Sequence, residues 1–344
     1  MPITNREIGE LLARRAEQIE DEHRSRAYRR AARASLIWPV EATDLLESGG
    51  SLRDLHAVGP RLAGRIHEWV EQPPEIPDPP EARAGFLTLA EARAVLSHDP
   101  SWRADVRGDL QMHSLGNDGK NTIEEMARRG GELGYEYVAV TDHTKGIRVA
   151  RGMDETAFAR QALEVQAAND VLERDGLEVR VLHGAEMNID VAGAGDMDPA
   201  AMLELDLVLG SFHSALRKTD DQTPRYLAAL RNPSVHVLGH PRGRRFDQRS
   251  GLNADWARVF DAASDLGKAI EIDCHPHRQD LSAELLLEAA ATGVYFSIGT
   301  DAHDVDEMLF MEFGLAAIAL AGIPKERVLN YWPRSRIRSW AGGL

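Results

Sequence analysis

Seven short apolar runs, separated by helical stretches, constrain this 344-residue chain more than any other feature. The runs are Val106–His113, Tyr137–His143, Val179–Ile189, Leu205–His213, Val235–His240, Ala269–Cys274 and Val294–Thr300. Between them, Thr122–Leu133, Glu155–Glu173, Asp255–Leu266 and Ala283–Ala291 carry helical patterns. Alternating strands and helices predict a parallel β/α architecture. A run such as Tyr137-Val138-Ala139-Val140 leaves nothing polar to face water, so its sheet is expected to be covered on both faces. Seven units suggest a closed or nearly closed barrel, with an open doubly wound sheet as the alternative.

The pattern begins only after a proline-rich break. Pro73–Pro80 places five prolines in eight positions, which neither a helix nor a central strand accommodates. Residues 73–104 are therefore read as a stiff linker followed by a short helix around Leu89–Leu96. Residues 1–72 show no alternating β-branched run. Ile8, Leu11, Leu12 and Ile19, and later Leu62, Ile66, Trp69 and Val70, recur at helical spacing. This segment holds 11 arginines and no lysine against 12 acidic residues, so the net charge of −15 falls almost wholly on residues 73–344. Such a balance argues against gripping nucleic acid by bulk charge, unless bound cations supply it.

Each apolar run ends in, or is followed at once by, ionisable residues. His113, His143, His213, His240, His275 and His303 sit at or just beyond predicted strand ends. Asp118, Asp142, Glu186 and Asp301 accompany them. The C-terminal rim is where β/α barrels build their active sites. Imidazole with carboxylate suits zinc, manganese or iron, and the absence of cysteine ligands fits a hydrolytic rather than a structural site. So many ligands exceed the needs of one ion, so two or three are expected, a set able to activate water and clamp phosphoryl oxygens. His183 and His236 lie inside strands and read as core or supporting residues. No G-x-S-x-G elbow, Walker loop or GxGxxG follows a strand. Cys274 is the only cysteine, which excludes an internal disulfide. No apolar run nears the roughly 18 residues of a membrane span, and the first ten residues are no secretory signal, so a cytoplasmic protein without membrane contact is expected.

Six motifs, in order, resemble those of PHP (polymerase and histidinol phosphatase) domains. They are Asp109-Leu110-Gln111-Met112-His113-Ser114, Thr141-Asp142-His143, Gly184-Ala185-Glu186, Ser211-Phe212-His213, Gly239-His240-Pro241 and Thr300-Asp301-Ala302-His303. The narrower likeness is to the C-terminal PHP domain of bacterial family X DNA polymerases. It rests on Thr141-Asp142-His143-Thr144-Lys145, Gly239-His240-Pro241-Arg242-Gly243-Arg244 and His275-Pro276-His277-Arg278-Gln279-Asp280-Leu281. The resemblance implies an α/β fold, a (β/α)₇ barrel over 105–344 with a trinuclear centre of divalent ions (Mn²⁺ or Zn²⁺, with Fe²⁺ a third option). Gln111, His113, Glu186 and Asp301 would hold one ion. Glu186, His213 and His240 would hold a second, and Asp118, His143 and His303 a third. Gln111 departs from the usual histidine, and an amide oxygen is a harder, weaker ligand than imidazole. Glu186, Asp301, Arg278 and Lys145 are the candidate catalytic groups, and Arg242, Arg244 and Arg278 the candidate phosphate binders.

Residues 1–72 in turn resemble the helical N-terminal domain of the same polymerases, through Arg26-Ala27-Tyr28-Arg29-Arg30-Ala31-Ala32 and a helix-hairpin-helix-like stretch at Leu52–Ile66. Such hairpins present backbone N–H groups to DNA phosphates, here from Val58, Gly59 and Arg61. Ala57 replaces the usual first glycine, and Pro60 removes a donor. No stretch between Gln72 and Asp109 has room for a polymerase palm, and the first lysine is Lys120, which excludes a Schiff-base lyase in the helical part. The expected function is a metal-dependent phosphoesterase of DNA repair, acting on DNA ends or nucleotides as a 3′→5′ exonuclease, 3′-phosphatase or abasic-site endonuclease. The alternatives are a small-molecule phosphomonoesterase of histidinol-phosphatase type and a non-catalytic DNA-end binder. The sequence leaves the oligomeric state open.

Overall fold

The computed structural model describes residues 2–344. Four helices come first: α1 (Asn5–Glu17), α2 (Glu22–Ala34), α3 (Ala42–Glu47) and α4 (Pro60–Glu71). Their starts are local chemistry. Thr4 and Glu7 form a reciprocal capping box at α1, and the Asp21 carboxylate caps α2. Ile8, Leu12, Ala31, Trp38, Leu52 and Ile66 build a core of their own. The stretch read as helix-hairpin-helix is a single 3₁₀ turn, Leu52–Asp54, then a loop into α4. Two further helices, α5 (Leu89–Ser97) and α6 (Ser101–Ala104), lead into the second unit.

That unit holds seven strands: β1 (Gly108–Met112), β2 (Tyr137–Val140), β3 (Arg180–Asn188), β4 (Leu207–Ser211), β5 (Val237–Gly239), β6 (Ala269–Asp273) and β7 (Tyr295–Gly299). All neighbours are parallel, in the order β1 through β7. Around them run α7 (Ile123–Glu132), α8 (Glu155–Arg174), α9 (Pro199–Met202), α10 (Thr223–Arg231), α11 (Trp256–Asp265), α12 (Ala283–Ala290), α13 (Met311–Ala321) and α14 (Arg334–Ala341). Between β1 and β7 the ladder is reduced to single contacts. The His113 N–H donates to the Ala302 carbonyl (2.9 Å) and the Asp301 N–H to that of Gln111 (3.1 Å). The sheet is a nearly closed (β/α)₇ barrel, not an open one.

Successive strand residues face opposite sides. Val138, Val140, Val208, Ile270, Phe296 and Ile298 join the large core beneath the helices. Tyr137, Ala139, Leu182, Leu207, Leu209, Val237 and Ala269 fill the barrel interior, where Leu329, Trp332 and Ile337 complete the cluster. Tyr137 fixes that closure, its hydroxyl lying 3.1 Å from the carbonyls of both Leu329 and Trp332.

The linker is not a free tether. Arg83, just past the prolines, is buried and donates to Glu10 and Glu17 of α1 and to Asp247 of the barrel (2.6–3.0 Å). Leu36, Phe86 and Phe246 form a small apolar cluster across the same junction. Charge and packing thus join the helices to the barrel.

Candidate metal centre

Toward the C-terminal strand ends the barrel interior turns from apolar to ionisable. Gln111 and His113 follow from β1, His143 from β2, Glu186 from β3, His213 and His240 from the ends of β4 and β5, and Asp301 and His303 from β7. Room for them comes from small residues: a Cβ at Gly299 would collide with Glu271 and Gln111. His240 (φ 22°) and Asp301 (φ 53°) both have positive φ. Side chains rarely tolerate that conformation, and such strain concentrates at functional sites.

Glu186 is the hub. Its Oε1 lies 2.7 Å from His240 Nε2 and 3.0 Å from His213 Nε2. Its Oε2 lies 3.2 Å from His143 Nδ1, 3.4 Å from His113 Nε2 and 3.2 Å from Gln111 Nε2. His113 Nε2 also approaches Asp301 Oδ1 (3.1 Å), while Asp118 faces His303 (3.5 Å), His143 (3.9 Å) and His113 (4.0 Å). All nine residues that the sequence singled out as ligands thus converge. Three overlapping sets have mutual donor separations within 4.8 Å: His113–Asp118–His143–His303, His143–Glu186–His213 and His113–Glu186–Asp301. His143 thereby bridges two sets, where the motif reading gave it to one.

Divalent ions fit this donor set on a direct observation. Gln111 Oε1, His113 Nδ1, Asp118 Oδ1, His143 Nδ1, His213 Nε2 and Asp301 Oδ2 are buried and make no hydrogen bond. Leaving a buried polar atom without a hydrogen bond costs about 1–3 kcal/mol, so six such atoms at one point require another explanation. Electrostatics agree. Burial would raise the Glu186 pKa, yet His143, His240 and His213 hold it well below the usual carboxylate range. Burial likewise opposes ionisation of Asp301, but Arg278 and His113 keep it charged. Desolvation brings His143 down to about 4. Burial also works against charge on His113, but Asp301 and Glu186 draw a proton onto it, a demand for positive charge that a cation meets as well.

A supporting shell holds these groups in place. Asp142 accepts from the Ser114 N–H (2.7 Å) and hydroxyl (2.5 Å) and from Gln161 Nε2 (2.5 Å). Gln161 Oε1 in turn meets His183 Nε2 at 3.1 Å. Asn117 takes the His143 N–H (3.0 Å), and Glu271 takes the His240 N–H (2.6 Å). Second-layer partners of this kind orient ligands and tune their basicity. Deeper, Asp109 binds Thr300, and burial pushes its pKa up to about 7. His236 accepts the Val208 N–H through its Nδ1 at 2.9 Å and packs near Trp340, which fits the core half of its reading.

Several sequence expectations are corrected. Lys145 does not join the cluster: it is solvent-facing and bonds Glu155 at 2.7 Å. Arg244 is 3% exposed, stacks on Phe86 and donates to the Ala84 carbonyl, so no phosphate reaches it. His275 takes the His277 N–H through its own Nδ1 and stays outside the three sets. Asp142 lies outside the three sets, and its Oδ1 faces His113 Nδ1 at 3.8 Å from behind. In the hairpin, the Val58 N–H is engaged by Leu55 O at 3.2 Å, leaving Gly59 and Arg61 as its accessible positions. Arg278, by contrast, lies between Asp273 (3.4 Å) and Asp301 (3.2 Å), at the edge of the site. The pair Glu271 and Asp273 escaped sequence reasoning. The signal was present, since acids at alternate positions of an otherwise apolar strand must both face the barrel interior.

No family model matches the chain. It is 34% identical over 226 residues to the "DNA polymerase/3′-5′ exonuclease PolX" of Bacillus subtilis, a match covering 65% of this chain and 39% of that protein. The chain therefore spans well under half of that relative. It is 27% identical over 232 residues to a "Probable phosphatase" of Acetivibrio thermocellus, covering 64% of this chain and 90% of the relative. Among solved structures, histidinol phosphate phosphatase from Lactococcus lactis superposes with a TM-score of 0.47 at 15% identity, over 63% of this chain and 94% of that one.

Proposed function

We propose that the chain is a PHP-type, metal-dependent phosphoesterase that hydrolyses phosphate esters at DNA ends or in nucleotides. The observation that carries this reading is the convergence of nine ligand-type side chains on one barrel rim, six of them with a buried atom that makes no hydrogen bond. The proposed ligation is Gln111, His113, Glu186 and Asp301 for one ion, Glu186, His213 and His240 for another, and Asp118, His143 and His303 for a third. Two or three manganese or zinc ions per chain suit this mixture of imidazole and carboxylate. When bound, such ions supply Lewis-acid charge to the phosphoryl group and the means to generate a nucleophile from water.

The protein's own groups do the positioning. Glu186, held ionised at the centre, fixes the spacing of the imidazoles around it. Arg278 is anchored by Asp273 and Asp301 yet partly exposed, which leaves guanidinium edge for a phosphoryl oxygen. Arg242, with an unpartnered Nε, is the second candidate for that task. A DNA end is favoured over a small phosphomonoester by the identity to a polymerase/exonuclease. The phosphatases that this chain matches over most of their length support the small-molecule alternative.

The test is a panel of 3′-labelled oligonucleotides, abasic duplexes, nucleotides and sugar or amino-alcohol phosphates, each with Mn²⁺, Zn²⁺ and Mg²⁺. Turnover of oligonucleotides well above the monoesters is expected. The reverse order would transfer the assignment to small phosphomonoesters, and DNA binding without turnover would leave an end-binding protein.

A further inference from the structure

A second charged feature lies beside the metal rim, on the helical side. Helix α2 has five arginines and a single acidic residue, Glu22, in thirteen positions. Arg26, Arg30 and Arg33 are spaced i, i+4, i+7 and share one face, with Arg29 beside them. That face lines an open cleft of about 740 Å³, whose far wall is His277 from the loop after β6. Among the described residues, Arg30 and Arg33 have no carboxylate within salt-bridge distance, and Arg26 meets only Glu22, at 3.4 Å, with its side chain 71% exposed.

The cleft adjoins a loop with more arginines: the Phe246 N–H, next to Arg245, donates to the carbonyl of the cleft-lining His277 at 2.8 Å. His277 approaches the backbone of Arg33, and its ring feels both Arg33 and Arg245. Arg245 is partly desolvated and repelled by Arg278 and Arg33; Arg249 is likewise desolvated and repelled by Arg245, Arg278 and Arg217. Neither Arg245 nor Arg249 pairs with a carboxylate, and Arg278 ends the series against Asp301. In a chain of net charge −15, guanidinium groups of the helical domain and of the loops after β5 and β6 gather on the side of the candidate metal ligands, with only Asp280, Asp273 and Asp301 among them. Like charges held together cost free energy unless something anionic lies among them.

We propose that these arginines form a strand track: α2, through Arg26, Arg30 and Arg33, and the loop after β5, through Arg245 and Arg249, hold the phosphates of one nucleic-acid strand whose end enters the metal centre. Arg26 to Arg33 spans about 10 Å of helix, enough for about three phosphates. The contacts are to backbone, so the track carries no base sequence preference. The α2 face, rather than the hairpin at Gly59, becomes the main grip of the helical domain. This inference rests on the phosphoesterase reading for the end point of the track, not for the track itself.

The experiment compares the full-length protein with its R26Q/R30Q/R33Q variant, using single-stranded 5-mers and 20-mers and the small diester bis(p-nitrophenyl) phosphate. Binding of a fluorescent 20-mer is followed by anisotropy across a salt series. The variant is expected to bind the 20-mer at least tenfold more weakly, with a log–log salt slope shallower by about 2, since each lost phosphate contact on a single strand contributes about 0.7. KM should rise for the 20-mer and not for the small diester, with the diester kcat retained. Equal affinities and slopes for the two proteins would overturn the track, whatever is hydrolysed. Tight, arginine-dependent binding without turnover of any phosphoester would retain the track and reject the phosphoesterase reading. A lost Tm would be met with R26K/R30K/R33K, which must restore binding if charge is the cause.

Discussion

Two buried charge clusters in this molecule behave in opposite ways. At the junction of the helical domain and the barrel, Arg83 is buried among Glu10, Glu17 and Asp247, with each carboxylate bonded to it. Burial alone would ease its deprotonation, but those three acids hold its proton more tightly still. At the barrel rim, Glu186 is equally buried among histidines, yet the groups around it keep six atoms unsatisfied. A complete set of partners indicates a structural fastener. An incomplete set, supported from behind by Asp142, Asn117 and Glu271, indicates groups positioned for something outside the chain. Burial does not separate the two, whereas hydrogen-bond completeness does.

The contrast can be broken at its strongest point first. Glu186→Gln keeps the shape of the hub and removes its charge, so phosphoester turnover should fall on the order of 1,000-fold. Metal content measured on the same sample should fall too, with the melting temperature little lowered. A chelator should likewise abolish wild-type activity, with Mn²⁺ or Zn²⁺ restoring it. Turnover near wild type in the folded variant would remove Glu186 from the centre.

Arg83→Met should show the converse. Leaving Glu10 buried and unpaired costs about 3–5 kcal/mol, a fall in melting temperature of about 10 °C. Turnover per folded molecule on a small diester should stay within about twofold. An activity loss without a stability loss would mean that the junction belongs to the site.

Asp142→Asn sharpens the comparison within the rim. The substitution breaks the acceptor set that takes Ser114 and Gln161, and an effect of about 10–100-fold on metal affinity or rate is expected for a supporting residue. Metal titration by calorimetry separates the two. Gln111→His should change turnover by less than about threefold or raise it, and should tighten metal binding, because imidazole is the better ligand for zinc.

The smallest effect concerns the hairpin. Ala57 adopts φ 62°, a left-handed conformation that costs an L-residue about 1–2 kcal/mol and glycine almost nothing. Ala57→Gly should therefore stabilise the protein by about 0.5–1 kcal/mol in chemical denaturation, after the added freedom of the unfolded chain is subtracted. It should leave DNA affinity unchanged if α2 supplies the grip.

Much of this was legible in the sequence. The seven runs mark the seven strands to within about three residues, and helices α7, α8, α11 and α12 follow their periodicity closely. Helices α10, α13 and α14 went unread. Within α13, Met311–Ala321, apolar residues surround the helix and erase the stripe that periodicity needs. The convergence of the nine candidate ligands was legible because parallel strands deliver their C-terminal ends to one rim. The Arg83 junction was not, since its three partners lie 66 to 164 residues away.

The sequence by itself determined where strands and helices fall and which side chains occupy the strand ends, because periods of 2 and 3.6 residues and capping chemistry are local. Only the tertiary structure decided which basic residues lie against the candidate ligands. Lys145, Arg244 and Arg278 occupy equivalent loops and read alike in one dimension. In three, Lys145 turns to Glu155, Arg244 is sealed over Phe86, and Arg278 meets Asp301. A long flexible cation is placed by whichever carboxylate or aromatic face lies within its reach, and that partner is set by the packing of distant segments rather than by neighbours along the chain.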